Sequence, residues 1–355
     1  MKKLTLIFIV SMAIAHLKAQ IIDDSTIPKY FEITENLRKG NKLDSAVWQS
    51  FLNLKGNQLY IQNQNLGAKY WNNYRKAMEI VYIPQNDSIL KVQLKDPSEY
   101  WQTYMVNQYK QNEATLRQYH KAIMDNKNAY LDVAYAECFS VLPKKLQKRN
   151  ADVTIHLTAI NNDAVAEGEN NIIFTLWCAY NFDKEKRGAL VGHELHHVVR
   201  VPQKYQIYKT DTALLNILEL ILTEGVPDLI DKKLTMASGF TEELKYGEFL
   251  SESGKTTLAN LDSLLIDVSM GKKQVTKKDI NNVAPMSGHI PGFYMADIIE
   301  RNGYKKQIIK NVRNPFEFFY IYNKAAKKDK AKPYILSDQT MAYLKAVEKR
   351  NKAIK

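Results

Sequence analysis

Residues 193–197 read His-Glu-Leu-His-His, so two imidazoles stand four positions apart with a carboxylate directly after the first. On a helix, positions four apart share a face, and His193 and His197 can then reach one zinc ion at roughly 2.0–2.1 Å each. Glu194 projects to one side of that face, where it can accept a proton from water instead of binding the metal. The spacing therefore supplies two ligands and a base. As a bare pattern it arises by chance on the order of once in a hundred chains of this length, so the flanks must carry the assignment. They are apolar and uncharged over Ala189–Val191 and at Val198 and Val199, as a buried active-site helix requires. His196 could compete for the metal, but only His197 gives the four-residue pairing with Glu in second place. His196 is assigned to the surroundings of the site or the helix flank.

A hydrolytic zinc site needs a third protein ligand and an open position. The candidate ligand lies in the stretch from Leu222 to Asp231, where Glu224 and Asp228 are four apart. If this stretch is helical, Glu224 binds zinc while Asp228 orients a ligand imidazole through its remaining N–H. An acidic pair at a helix start is also a favourable dipole interaction and nothing more. The apolar run that precedes it, Leu214 to Leu222, would carry the pair out of the core and towards the site.

The elements that must hold these residues follow from periodicity. Val153–Thr158 alternates apolar and polar residues and Asn171–Trp177 is a largely apolar run, so both read as strands. A helical period returns at Asp183, a plausible N-cap for a helix through about Arg200 that must stop before Pro202. Further helices are expected over Leu66–Val81, Pro97–Ile123, Thr212–Leu222, Glu224–Leu234, Leu258–Val268, Gly292–Arg301 and Ser337–Lys349. The aromatic clusters Tyr70, Trp71, Tyr74 and Tyr100, Trp101, Tyr104 fall at helical spacing and read as core packing. The expected architecture is α+β and mostly helical. A helical region over residues 20–150 precedes a catalytic domain over 151–355, in which a small sheet packs on the metal-binding helix and a helical C-terminal part closes the cleft.

His-Glu-x-x-His followed by a separate Glu-x-x-x-Asp segment resembles the gluzincin clan of metallopeptidases, the thermolysin-like plan of two His and one Glu. The Thr223-Glu224-Gly225 opening, with Gly288-His289-Ile290-Pro291-Gly292-Phe293-Tyr294-Met295-Ala296 downstream, is similar to a bacterial family of secreted zinc-dependent peptidases. The clan resemblance covers about residues 150–235 and implies a zincin-like fold, Zn²⁺ as cofactor and a peptide or protein as substrate. Pro227 departs from the small residue common at its position, so the helix either begins near Thr223 or is kinked there. In related clans a His or Tyr from the C-terminal part donates a hydrogen bond to the oxyanion, which nominates His289 and Tyr294. The alternative is that His289 caps the turn and Tyr294 packs in the core. His120 and His156 have no partner pattern.

Composition bounds the rest. Met1-Lys2-Lys3, an apolar stretch from Leu4 to Ala15 and a small residue at Ala19 form the plan of a cleaved secretory signal over residues 1–19. The apolar core falls short of the roughly 20 residues that span a bilayer, so a stable membrane anchor is not expected, and export to a periplasm or the medium follows. Removal of the signal lowers the net charge from +12 to +9, and the remaining lysines are dispersed, so no nucleic-acid partner is read from them. Cys138 and Cys178 can pair in an oxidising compartment or stay as buried thiols. The expected activity is peptide hydrolysis by zinc-activated water, with the run from Asn171 to Trp177 as an edge strand for substrate backbone. A zinc hydrolase of another amide or ester, and a non-catalytic binding protein on the same fold, are the rival readings. The intact Glu194 argues against the second, because a metal-holding scaffold has no need of a carboxylate there.

Overall fold

The computed structural model describes residues 20–236, 240 and 244–354; the expected signal segment, residues 1–19, lies outside them. A short strand, β1 (Ile21–Asp23), leads into α1 (Thr26–Arg38), α2 (Ser45–Leu52), α3 (Lys55–Gln64) and α4 (Ala68–Tyr82). The chain continues through α5 (Asp87–Gln93), α6 (Trp101–Gln111), α7 (Glu113–Asp125) and α8 (Lys127–Phe139). Strands β2 (Thr154–Thr158), β3 (Ala164–Glu167) and β4 (Asn171–Thr175) precede α9 (Leu176–Glu185) and α10 (Ala189–Val199). The remainder is helical: α11 (Thr212–Gly225), α12 (Asp228–Asp231), α13 (Tyr246–Ser269), α14 (Lys277–Val283), α15 (His289–Arg301), α16 (Lys305–Asn311), α17 (Pro315–Ala326) and α18 (Asp338–Arg350). The fold is therefore mostly helical with one small mixed sheet, an α+β arrangement.

Local chemistry sets the boundaries. Asp44 accepts the N–H groups of Ala46 and Val47 to start α2, and Asn314 does the same for Phe316 and Glu317 ahead of Pro315 in α17. In α4, Trp71, Tyr74, Met78 and Val81 fall on one face and are buried, as the spacing of the aromatic cluster predicts. The single helix expected over Pro97–Ile123 is instead two. Asn112 leaves helical geometry and its side-chain amide donates to the Gln108 carbonyl, so α6 ends there and α7 starts anew.

The sheet order is β1-β2-β4-β3, with β1, β2 and β4 parallel and β3 antiparallel to β4 at one edge. Ile21 aligns with Thr154, Thr154 with Asn171, and Ala164 with Phe174. This corrects the expected edge strand. β4 is paired on both sides and ends at Thr175, where α9 begins, so the edges of the sheet belong to β1 and β3. One connected apolar core runs from Ile22 to Val347 and includes residues on both sides of position 150. His156 at the second strand holds the Asp23 carboxylate of β1 at 2.9 Å, a core role for a histidine with no metal pattern. Cys138 and Cys178 are both buried free thiols, and burial pushes each thiol up, away from ionisation. Among the described residues no helix is long and apolar enough to cross a membrane.

Candidate metal centre

The motif helix α10 begins five residues later than its sequence suggests. Asp183 lies inside α9, and its carboxylate accepts the Gly188 N–H at 2.8 Å across the turn between the two helices. Gly188 sits at φ +77°, where a Cβ would also come within 2.9 Å of the Ala134 backbone nitrogen on α8, so the turn requires glycine. Against α8 on one side and β3 and β4 on another, α10 is almost wholly buried. Its end is fixed by Arg200. That guanidinium is buried and donates to the Val312 carbonyl at 2.7 Å, to Thr223 Oγ1 at 2.9 Å and to Glu219 at 2.6 Å. The last two partners are on α11, so the clamp aligns α11 with α10 one residue before Glu224.

Glu224 occupies the last turn of α11. Pro227 does break the helix, and the chain resumes as the single turn α12, so Glu224 and Asp228 belong to different helices rather than to one face of a continuous one. Glu224 Oε2 nevertheless lies 3.6 Å from His193 Nε2 and 3.3 Å from His197 Nε2. His289 Nε2, from the start of α15, stands 3.4 Å from the same oxygen. Glu194 projects to one side of the two helix histidines, with a carboxylate oxygen within 4.8 Å of a ring nitrogen of each.

These distances test whether a zinc ion fits. Donors around a tetrahedral zinc at 2.0–2.1 Å stand roughly 3.3–3.4 Å from one another. Glu224 Oε2 is buried, yet among the described residues it has no hydrogen-bond partner despite three nearby nitrogens. The nitrogens stand near donor–donor spacing from that oxygen and none makes a hydrogen bond of ordinary geometry to it, which fits ligands around a cation.

Carboxylates behind the ring fix the imidazoles. Asp231 Oδ1 accepts His193 Nδ1–H at 2.9 Å, while Asp228 stands 3.8 Å from the same nitrogen. Asp228 instead receives His289 Nδ1–H, at 3.0 and 3.1 Å to its two oxygens. Sequence reasoning expects Asp228 to orient a ligand imidazole; the residue that holds His193 is Asp231, which is buried and also bound by Lys232 Nζ at 2.7 Å. Burial opposes charge on His193, but the Asp231 carboxylate raises its pKa well above the ordinary histidine value. Burial likewise opposes ionisation of Glu224, and the facing His197 and His289 rings hold its carboxyl well below the usual range.

His196 points away from this cluster. It is fully buried, neither ring nitrogen has a partner among the described residues, and burial pushes its pKa well below the ordinary value, leaving it neutral. The structure does not bring Tyr294 to the centre either. Its hydroxyl accepts the Tyr334 N–H at 3.3 Å and its ring packs on Gly254, so it is a packing residue of α15.

Beside the centre lies a cavity of ≈ 160 Å³ whose walls include Ala164, Phe182, Leu190, Glu194, Lys232 and His289. Asp163 joins them, and burial pushes its carboxyl up to about 6. The cavity sets Glu194 and the metal-facing side of the cluster next to the start of β3. No periodic signal marks β3, Asp163 or Lys232 as site residues.

The α+β fold thus gathers His, Glu and Asp side chains that could hold a metal ion. Residues 48–331 match the family described as "Putative zinc dependent peptidase (DUF5700)", and the chain belongs to that family. No curated protein and no solved structure matches the chain. Zinc is the cofactor that this family and this donor set share.

Proposed function

We propose that this protein is an exported zinc metallopeptidase in which His193, His197 and Glu224 hold the ion and Glu194 is the general base. The observation that supports it best is a partnerless buried carboxylate oxygen with two helix imidazole nitrogens 3.3 and 3.6 Å from it, beside a second carboxylate that opens onto a cavity. When bound, zinc supplies Lewis-acid chemistry, making a water acidic near neutral pH and polarising the scissile carbonyl. Glu194 takes the proton from the attacking water and delivers it to the leaving amine. Asp231 keeps His193 in the tautomer whose lone pair is on Nε2, and the Arg200 clamp keeps α11, and with it Glu224, in register with α10.

Substrate backbone has a natural partner in β3. The Thr175 N–H donates to the Asp163 carbonyl, so Asp163 faces β4 and the alternation of an antiparallel ladder turns Ala164 outwards, whereas the outward Ala166 carbonyl already accepts from Asn63 Nδ2 at 3.4 Å. Ala164 is also a wall of the cavity, so a peptide added to this edge would run past Glu194. The zincin-like reading of the fold rests on this combination of motif helix, sheet and antiparallel edge. The direct test is digestion of a broad peptide library by the purified mature protein, with and without a zinc chelator. Cleavage that the chelator abolishes and zinc restores supports the proposal. Absence of cleavage across the library, or cleavage indifferent to the chelator, overturns it.

A further inference from the structure

We infer that His289 is itself a zinc ligand, so that the protein offers three imidazoles and one carboxylate rather than the two histidines and one glutamate of the proposed function on which this rests, and the water of that function would need a fifth position. Three observations converge. The first is distance: His289 Nε2 is 3.4 Å from Glu224 Oε2, between the 3.3 Å of His197 and the 3.6 Å of His193, so it stands in the same relation to that oxygen as the two motif histidines. It also forms a metal-capable group with His193 and Glu224 in which the three ligand atoms lie within 4.8 Å of one another.

The second is tautomer. Asp228 is fully buried and accepts from His289 Nδ1 through both oxygens, as Asp231 accepts from His193 Nδ1. A neutral imidazole with its proton on Nδ1 carries a lone pair on Nε2, and a carboxylate behind the ring is the usual partner of a metal-bound histidine. Such a ring is built to give an electron pair. A hydrogen-bond donor to an oxyanion would instead be the imidazolium, which keeps its Nδ1–H on Asp228 and adds a proton on Nε2, so the imidazole count below separates the two roles.

The third is the effort of the backbone to place the ring there. Gly225 and Gly292 pack back to back, so that a Cβ on Gly225 would come within 2.5 Å of the Gly292 carbonyl oxygen, and this crossing brings the first turn of α15 against the end of α11. Met286, Ser287 and Gly288 then enter α15 with φ of +50°, +55° and +104°, three successive left-handed residues of which two have side chains. Strain of this kind persists where surrounding structure over-determines it, and it clusters at ligand-holding sites. Here it delivers His289 as the first residue of its helix.

The test uses the full mature protein loaded with one zinc per chain. X-ray absorption at the zinc edge counts imidazoles, and chelator competition gives the zinc dissociation constant for wild type, His289→Ala and Asp228→Asn. Three imidazoles in wild type, falling to two in His289→Ala, are expected. The dissociation constant of His289→Ala should rise by more than the 10–100-fold typical of losing a residue that only orients a ligand, and that of Asp228→Asn by about that 10–100-fold. Two imidazoles in wild type overturn the inference, as does a His289→Ala affinity within a few-fold of wild type with only turnover reduced. If His289→Ala does not fold, the wild-type count alone decides. Failure of wild type to bind zinc, or zinc binding that survives His193→Ala, overturns the zinc reading as a whole and is distinct from a two-imidazole count.

Discussion

Replacing Asp231 by Asn changes one atom in a fully buried position and separates the hydrogen bond to His193 from the charge behind it. In the wild type, Asp231 Oδ1 is 2.9 Å from His193 Nδ1 and its other oxygen 2.7 Å from Lys232 Nζ. Asn can present its carbonyl to only one of these two donors and must turn an NH₂ towards the other. Lys232, whose charge burial opposes and Asp231 sustains, then keeps only the more distant carboxylates of Asp228 and Glu194. Breaking a buried pair in this way costs roughly 3–5 kcal/mol of stability. Loss of the partner behind a ligand histidine lowers metal affinity about 10–100-fold. The two effects have different pH signatures. Without metal, Asp231 raises the His193 pKa, so below that raised value a proton competes with zinc in the wild type. The Asn variant relieves that competition, so its affinity deficit should be smaller at pH 6.5 than at pH 8.5. Chelator competition at the two pH values measures this, with denaturant unfolding for the stability term. Equal zinc affinity for the two proteins at both pH values would refute the assignment of Asp231 to His193.

Three further outcomes follow from the same geometry. Zinc binding near pH 7 should release at least one proton per ion, because His193 is held protonated in the absence of metal; calorimetry in buffers of different ionisation enthalpy reads the number, and zero release contradicts it. Arg200→Ala removes three bonds and leaves Glu219 without its buried partner, so unfolding free energy should fall by about 3 kcal/mol and zinc affinity with it, while a surface control such as Lys204→Ala changes neither. Gly292→Ala puts a Cβ 2.6 Å from the Ile221 carbonyl oxygen and 2.8 Å from Gly225, which costs at least about 1–3 kcal/mol and pushes α15 from α11; a thermal midpoint unchanged from wild type would show that the helices do not meet there.

How much of this was legible in the sequence depended on whether a signal was local. His193, Glu194 and His197 needed only the helical period, and Glu224 needed an acidic residue at the end of the apolar run from Leu214. The orienting carboxylate could not be assigned the same way, because Pro227 breaks α11 and resets the phase by which Asp228 and Asp231 present themselves. β3 was invisible: Ala164-Val165-Ala166-Glu167 is short, and alanine and glutamate have little strand preference, so only its pairing with β4 defines it. Without β3, the apolar run Asn171–Trp177 was taken for the edge. Tyr294 is set aside by α15, which starts at His289 and not at the Gly292 that the sequence predicts. It lies five residues after His289, about 140° around a helix of 3.6 residues per turn, so the two cannot share a face. The start of α10 was misplaced because Asp183 has the chemistry of a helix cap, and here it does receive a backbone N–H, that of Gly188, from within the preceding helix.

In the proposed function one carboxylate turns a zinc-binding fold into a hydrolase, and Glu194→Gln isolates its part. Gln keeps the size and reach of Glu but cannot accept the proton of water, and the ion is held by other side chains. Zinc content and peptide-cleavage rate are measured on the two proteins purified in parallel. The variant should retain one zinc per chain and lose activity by about 10²–10⁴-fold or more, since a single group serves both proton transfers. A Glu194→Gln protein that cleaves at the wild-type rate, or a wild type that binds one zinc and cleaves nothing, contradicts the account.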